Sequence, residues 1–331
     1  MNASVIGGGS WGSAFALYLG RNKIRTKLWI REPEIFEAVV REKENKVFLA
    51  GFKFPPDVSF HHDLDQALQG SELIFVAVPS QFSRKIYARL APHLTAEHSV
   101  ISLTKGIEKR TLLRMSEVMA EVFAPSSRPR LGVLSGPSFS KEVAQGLPTA
   151  LVLASADLQW AAGIQHLVSS PTLRIYTSGD VTGVEIAGSL KNGIAIAAGI
   201  NDSLQFGNNA RAALMTRGLA EITRLGVKLG ARKETFFGLA GIGDLMLTCT
   251  GLLSRNRHVG EELGKGRTLS SIIAGMRTVA EGISTTLSAR ALAQRERVEM
   301  PIFEQVYQIL YRKKDPRTAL ADLMSRTLKG E

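Results

Sequence analysis

Lys191 stands in a stretch, Thr182 to Gly199, in which almost every other side chain is small or apolar. On a helix its neighbours three and four positions away are Ala187, Gly188, Ile194 and Ala195, none of which can pair with an ammonium. Such a lysine is costly unless it reaches a cleft or an acid elsewhere, and burial lowers its pKa toward the range useful for proton transfer. Asp244 closes the run Gly238-Leu239-Ala240-Gly241-Ile242-Gly243-Asp244-Leu245, where it reads either as a site residue or as the cap of a helix starting at Leu245. A dozen residues on, Ser254-Arg255-Asn256-Arg257 sets arginine beside a hydroxyl and an amide. That composition suits a phosphate, or a solvated basic turn.

A second kind of chemistry is written at the start of the chain. Gly7, Gly9 and Gly12 fit the G-x-G-x-x-G spacing between a short apolar strand, Ala3 to Ile6, and a helix, Ser13 to Leu19. Gly7 allows the tight turn, Gly9 lets a pyrophosphate approach the backbone, and Gly12 lets the helix pack closely on its strand. Free N–H groups at the helix start then face the diphosphate. Gly8-Gly9-Ser10-Trp11-Gly12 also spells the hydrolase elbow G-x-S-x-G, but no earlier strand–helix loop precedes it to supply an oxyanion donor, so that reading is rejected. Arg31 follows the next strand, where NAD-preferring sites carry an acid. It suits the 2′-phosphate of NADP, with Glu32 as a competing neighbour, so NADPH is the expected cofactor and NADH a possible one.

The elements that must hold these residues alternate. Thr26 to Ile30 reads as a strand, Pro33 to Glu44 as a helix, and Leu73 to Val78 as a buried parallel strand ended by Pro79-Ser80. Gln81 to Leu90 reads as a helix, and Val100 to Leu103, Leu131 to Leu134, Ala150 to Leu153 and Leu173 to Tyr176 as strands. Ser10, Trp11, Arg31, Pro79, Lys105 and Gly136 all follow strands, and the carboxyl edge of an open α/β sheet is where ligands bind. From Gly179 the pattern turns to helices with glycine-rich joints, and Thr182-Gly183-Val184-Glu185 reads as a capping box. Asp315-Pro316 starts the last helix. The expected fold is α/β: an N-terminal Rossmann-like domain with a mainly parallel sheet over 1–179, then an all-α domain over 180–331 that selects substrate.

Composition narrows the function. The formal net charge of +11 comes without a run of five basic residues or an aromatic RNA motif, so it reads as a surface that attracts small anions rather than a nucleic-acid interface. Cys249 is the only cysteine, which excludes an intramolecular disulfide and a cysteine-based metal site and fits a reducing cytoplasm. The histidines show no ligand pair, His61-His62 beside Asp63 reads as a solvated loop, and no metal is expected. Apolar stretches are too short for a membrane span, and a strand starting by residue 3 leaves no room for a signal peptide.

Seven segments, in order and across the whole chain, resemble the bacterial-type NAD(P)-dependent glycerol-3-phosphate dehydrogenases. They are Gly7-Gly8-Gly9-Ser10-Trp11-Gly12, Leu103-Thr104-Lys105-Gly106-Ile107-Glu108, Leu134-Ser135-Gly136-Pro137-Ser138-Phe139, Glu185-Ile186-Ala187-Gly188-Ser189-Leu190-Lys191-Asn192, Gly241-Ile242-Gly243-Asp244-Leu245, Ser254-Arg255-Asn256 and Val279-Ala280-Glu281-Gly282. The resemblance implies reduction of dihydroxyacetone phosphate to sn-glycerol 3-phosphate for phospholipid synthesis, in a possible homodimer. By motif, Ser10, Trp11, Arg31, Lys105, Ser140, Arg255, Val279 and Glu281 would bind the nucleotide. Ser140 stands where the family usually has alanine. Lys105, Gly136, Ser138, Lys191, Asp244, Ser254, Arg255 and Asn256 would bind substrate. Lys191 would give its proton to the carbonyl oxygen, Asp244 would stabilise the lysine, and Asn192 and Lys105 would hold substrate oxygens. A related two-domain dehydrogenase acting on another hydroxy acid or phosphorylated alcohol is the alternative.

Overall fold

A computed structural model describes residues 2–123, 128–276, 278–328 and 330. The chain divides into two compact units, Met1–Lys105 with Leu113–Glu185, and Gly106–Leu112 with Ile186–Glu331.

The first unit runs β1 (Asn2–Ile6), α1 (Ser10–Arg21), β2 (Arg25–Trp29), α2 (Pro33–Glu42), β3 (Val58–His61), α3 (Leu64–Leu68), β4 (Leu73–Val76), α4 (Ser80–Leu90), β5 (Ser99–Ser102), α5 (Met115–Phe123), β6 (Arg130–Ser135), α6 (Ser140–Gln145), β7 (Thr149–Ala154), α7 (Leu158–Val168) and β8 (Leu173–Ser178). The strands form one sheet in the order β3-β2-β1-β4-β5-β6-β7-β8. All pairs are parallel except β6 with β7, so β7 and β8 run against the rest. Both faces are covered, as the unbroken apolar run at residues 73–76 requires. Leu73 and Phe75 join one buried cluster and Ile74 and Val76 the other, alternating as side chains on a pleated strand must. β1, β2, β4, β5 and β6 all point their carboxyl ends to one edge, and Ser10, Trp11, Arg31, Pro79, Lys105 and Gly136 follow them there.

The expected mainly parallel α/β fold is therefore present. One expectation fails: His61 is not in a solvated loop. It ends β3, pairing in register with Trp29, and Asp63 caps α3 by accepting from the Gln66 N–H at 2.9 Å. The strand was hard to see because Val58-Ser59-Phe60-His61 is short and only half apolar.

The second unit is helical: α8 (Val181–Ser203, which begins in the first unit), α9 (Gly207–Lys228), α10 (Asp244–Thr250), α11 (Arg255–Gly264), α12 (Leu269–Ala274), α13 (Glu281–Glu296), α14 (Pro301–Arg312) and α15 (Pro316–Met324). A five-residue π-helical turn, Leu239–Gly243, leads into α10. The small residues of α8 serve close approach. A β-carbon on Gly199 would lie 1.9 Å from the Arg257 carbonyl oxygen, and one on Gly260 would lie 1.9 Å from that of Ile196. α8 and α11 thus touch backbone to backbone, and Asn192 on the one meets Asn256 on the other. Arg257 reinforces the contact through a partly buried ion pair with Asp202 at 2.8 Å. No helix among the described residues is long and apolar enough to cross a membrane.

Candidate active site

In the first unit, the glycine loop has the three properties its spacing predicts. Gly7 adopts φ +123°, and a β-carbon there would strike the Ala77 carbonyl oxygen at 2.6 Å. At Gly12 a β-carbon would lie 1.9 Å from the Gly7 carbonyl oxygen, whereas Gly9 faces open space. Helix α1 starts after Gly9 with no side-chain cap and no acid in its first turn. The first intrahelical bond is Ser13 N–H to Gly9 at 2.9 Å, so the earlier N–H groups and the positive end of the helix dipole stay free for an anion. The Trp11 indole N–H is buried without a partner among the described residues, a cost that a ligand acceptor would relieve. An open glycine, an uncapped helix and an orphaned donor fit a dinucleotide diphosphate. The same residues do not fit a nucleophile elbow, because Ser10 opens the helix.

The other strand ends add polar groups along this edge. Lys105 Nζ donates to the Gly136 carbonyl at 2.7 Å, and Ser138 Oγ donates to the same oxygen at 2.9 Å. Gly136 needs no side chain: its φ is +127° and a β-carbon would crowd Leu151. Ser140 opens α6. Arg31 is exposed, donates through Nε to Glu32 at 2.9 Å, and lies with its guanidinium 6.0 Å from the Phe82 ring centre. The guanidinium is therefore already shared with an acid that any 2′-phosphate must compete with.

In the second unit, Lys191 reaches an acid on another helix. It is buried, and its ammonium donates to Asp244 Oδ1 and, at 2.7 Å, to Thr248 Oγ1. Asp244 is wholly buried, and its carboxylate is spent on this lysine rather than on capping α10. Thr248, one turn after Asp244, donates in turn to the Asp244 carbonyl at 2.6 Å, which leaves its oxygen lone pairs directed at Lys191. Burying an ammonium requires such pairing. Cys249, next to Thr248, is buried, and burial pushes its thiol up to about 12, so it stays a neutral core residue.

Asn192 and Asn256, on α8 and α11, meet directly: Asn256 Nδ2 donates to Asn192 Oδ1 at 2.9 Å. Asn256 Oδ1 accepts from the Gly282 N–H at 2.9 Å. Ser254 caps α11 through the Arg257 N–H at 3.2 Å, so its hydroxyl is a structural acceptor. Arg255 is exposed and makes no hydrogen bond or salt bridge among the described residues; Glu281 is the carboxylate whose charge acts on it. Val279 is 46% exposed and Glu281 opens α13.

Three supporting residues lie outside the site roles that the sequence assigns. Asn45, fully buried, donates to the Gly8 carbonyl at 2.8 Å and to Ser13 Oγ at 2.9 Å, holding the glycine loop from 37 residues away. Thr248 was findable as one helical turn beyond Asp244. Glu185 is not half of a capping box as its spacing predicts: Asp180 caps α8 by accepting from the Gly183 N–H at 2.9 Å. Glu185 instead accepts from Arg114 and from the Ser116 N–H, each at 2.8 Å. Burial raises its pKa while Arg114 opposes the rise.

Family-level comparison matches residues 2–161 to the N-terminus of NAD-dependent glycerol-3-phosphate dehydrogenase and residues 180–321 to its C-terminus. The glycerol-3-phosphate dehydrogenase (NAD(P)+) of Syntrophobacter fumaroxidans is 49% identical over 327 residues, covering 99% of this chain and 96% of that one. That of Geobacter sulfurreducens is 50% identical over 99% of this chain and 98% of its own. The crystal structure of glycerol-3-phosphate dehydrogenase from Coxiella burnetii is 38% identical with a TM-score of 0.94, over 98% of this chain and 99% of that chain. With the glycine loop in one unit and the buried lysine–aspartate pair in the other, the chain belongs to the NAD-dependent glycerol-3-phosphate dehydrogenase family.

Proposed function

We infer that the chain reduces dihydroxyacetone phosphate to sn-glycerol 3-phosphate, reversibly, with NAD(P)H, and so supplies glycerophospholipid synthesis. The observation that carries the chemistry is the buried Lys191–Asp244–Thr248 cluster in a chain of this family. Bound NAD(P)H supplies the hydride that the ketone carbon takes up. The chain's own task is to manage the oxygen left behind. Lys191, kept cationic by Asp244, gives a proton to the carbonyl oxygen as negative charge develops there. Thr248 and Asp244 fix Nζ, so little reorganisation is needed when the proton moves.

Arg255 is proposed to hold the substrate phosphate, since its guanidinium makes no hydrogen bond or salt bridge among the described residues, whereas Arg257 beside it is paired with Asp202. Lys105, Gly136 and Ser138 are assigned to substrate, and Lys105 also to the nucleotide. Gly7, Gly9, Gly12, Ser10 and Trp11 take the diphosphate, Arg31 the adenosine ribose, and Ser140, Val279 and Glu281 the remainder of the nucleotide. Arg31 favours NADPH over NADH. A homodimer and a cytoplasmic location are the finer parts of the proposal and rest on family resemblance.

The test pairs dihydroxyacetone phosphate with phosphate-free dihydroxyacetone, following NADPH oxidation. Arg255→Ala is expected to cut kcat/KM for the phosphorylated substrate by at least about tenfold, as loss of a charge-assisted contact should, and to affect dihydroxyacetone little. Equal losses on both would remove Arg255 as the phosphate anchor. Absence of turnover by the unaltered chain with either NADPH or NADH would remove the reaction itself.

A further inference from the structure

The three groups Gly282 N–H, Asn256 and Asn192 form a chain in which each bond dictates the polarity of the next. A backbone N–H can only donate, so the Asn256 atom 2.9 Å from it must be the carbonyl oxygen. That turns the Asn256 NH2 toward Asn192, and the Asn192 atom it meets at 2.9 Å must then be oxygen as well. Asn192 Oδ1 is thus committed, and its NH2 is turned away from Asn256. That NH2 has no acceptor among the described residues and is not sealed from solvent. We propose that Gly282 and Asn256 act as a polarity relay that fixes Asn192 as a pure hydrogen-bond donor beside Lys191. In this account Asn256 is a positioning residue acting through Asn192. The proposal rests on the reaction inferred above.

The surroundings leave the relay little slack. Asn192 and Asn256 are 5% and 8% exposed, and neither amide can turn over without setting two like atoms against each other. Gly282 is required at its place: a β-carbon there would lie 2.6 Å from the Asn192 carbonyl oxygen and 2.8 Å from Asn256 Oδ1. The consequence is selectivity. Asn192, which follows Lys191 in sequence, then offers its N–H groups rather than its amide oxygen, which suits a substrate oxygen gaining negative charge. An Asn192 free to rotate would present its oxygen half the time.

The relay is separable from direct contact between Asn256 and the phosphate. Asn256→Ala is expected to lower kcat/KM by about tenfold or more, and by a similar factor for dihydroxyacetone phosphate and for phosphate-free dihydroxyacetone. In an Asn192→Ala background the same change is expected to cost less than about twofold, because the residue it orients is gone. A loss confined to the phosphorylated substrate overturns the relay in favour of a phosphate contact. An equal loss in both backgrounds overturns it in favour of simple packing. Melting temperatures of the two single variants and the double variant provide a reading independent of turnover. The relay predicts a double-variant shift smaller than the sum, and strict additivity overturns it. If the unaltered chain turns over neither substrate, the inferred reaction fails while the melting cycle still decides the relay. Asn256→Ser replaces Asn256→Ala in every arm if the alanine variant does not fold.

Discussion

Asp244→Asn should make turnover fall as pH rises, because Lys191 would lose the anion that holds its proton. The substitution keeps an oxygen in place to accept from the ammonium but removes the charge. The Lys191 side chain is 7% exposed and Asp244 is wholly buried, so little water is available to replace the lost anion. Breaking a buried pair costs about 3–5 kcal/mol by leaving one charge uncompensated. Lys191 can avoid most of that cost by losing its proton. Burial without the anion disfavours the charged form and so lowers its pKa. As pH rises through the lowered value kcat should fall about tenfold per pH unit, and it should recover as pH drops. The assay is NADPH oxidation at saturating dihydroxyacetone phosphate from about pH 6 to pH 9, with each variant compared to the unaltered chain. A variant whose kcat follows the same profile as the unaltered chain would falsify the claim that Asp244 keeps Lys191 charged.

Two further outcomes follow from other parts of the chain. Arg31→Ala should reduce kcat/KM with NADPH more than with NADH, because only NADPH carries the 2′-phosphate; an unchanged ratio takes Arg31 out of cofactor choice. Glu221, buried on α9 and accepting from the Ile302 N–H at 2.8 Å and the Phe303 N–H at 3.2 Å, has its pKa pushed up to about 7 by burial, against those two bonds and the charges of Arg224 and Arg326. A raised acid pKa favours the protonated folded form. Its contribution is therefore full below about pH 4.5 and is lost as pH rises through about 7, roughly 3 kcal/mol in all. Glu221→Gln should flatten the decline in unfolding free energy between about pH 5 and pH 8, and an unchanged slope contradicts the assignment.

The glycine loop was readable because its physics is local. A turn, a close approach and an open helix end are all set within residues 7–13, and the strands that follow are marked by unbroken apolar runs. The end of β6 was equally legible at Ser135-Gly136, since a glycine needed at positive φ sits just after such a run. The Lys191–Asp244–Thr248 cluster was only half visible. Lys191 announced itself as a charge with no helical neighbour to pair with, but nothing in the spacing said that Asp244 lay against it. That contact exists because the π-helical turn at residues 239–243 sets where α10 begins. Asn45, Asn256 and Gly282 were illegible as a group for the same reason. Their roles depend on which atom faces which across elements far apart in sequence. The capping box failed because Glu185 finds a better partner, Arg114, 71 positions away. The histidine pair failed because a four-residue edge strand has too little pattern to show.

The central claim is that the second unit's buried lysine completes the reduction by giving up a proton. Lys191→Met, which keeps the length of the side chain and removes the charge, tests it most directly. The measurement is kcat for dihydroxyacetone phosphate at saturating NADPH, beside the NADPH dissociation constant read from cofactor fluorescence. A loss of at least about a hundredfold in kcat with nearly unchanged NADPH affinity is the predicted result. Turnover within a few-fold of the unaltered chain would contradict the account.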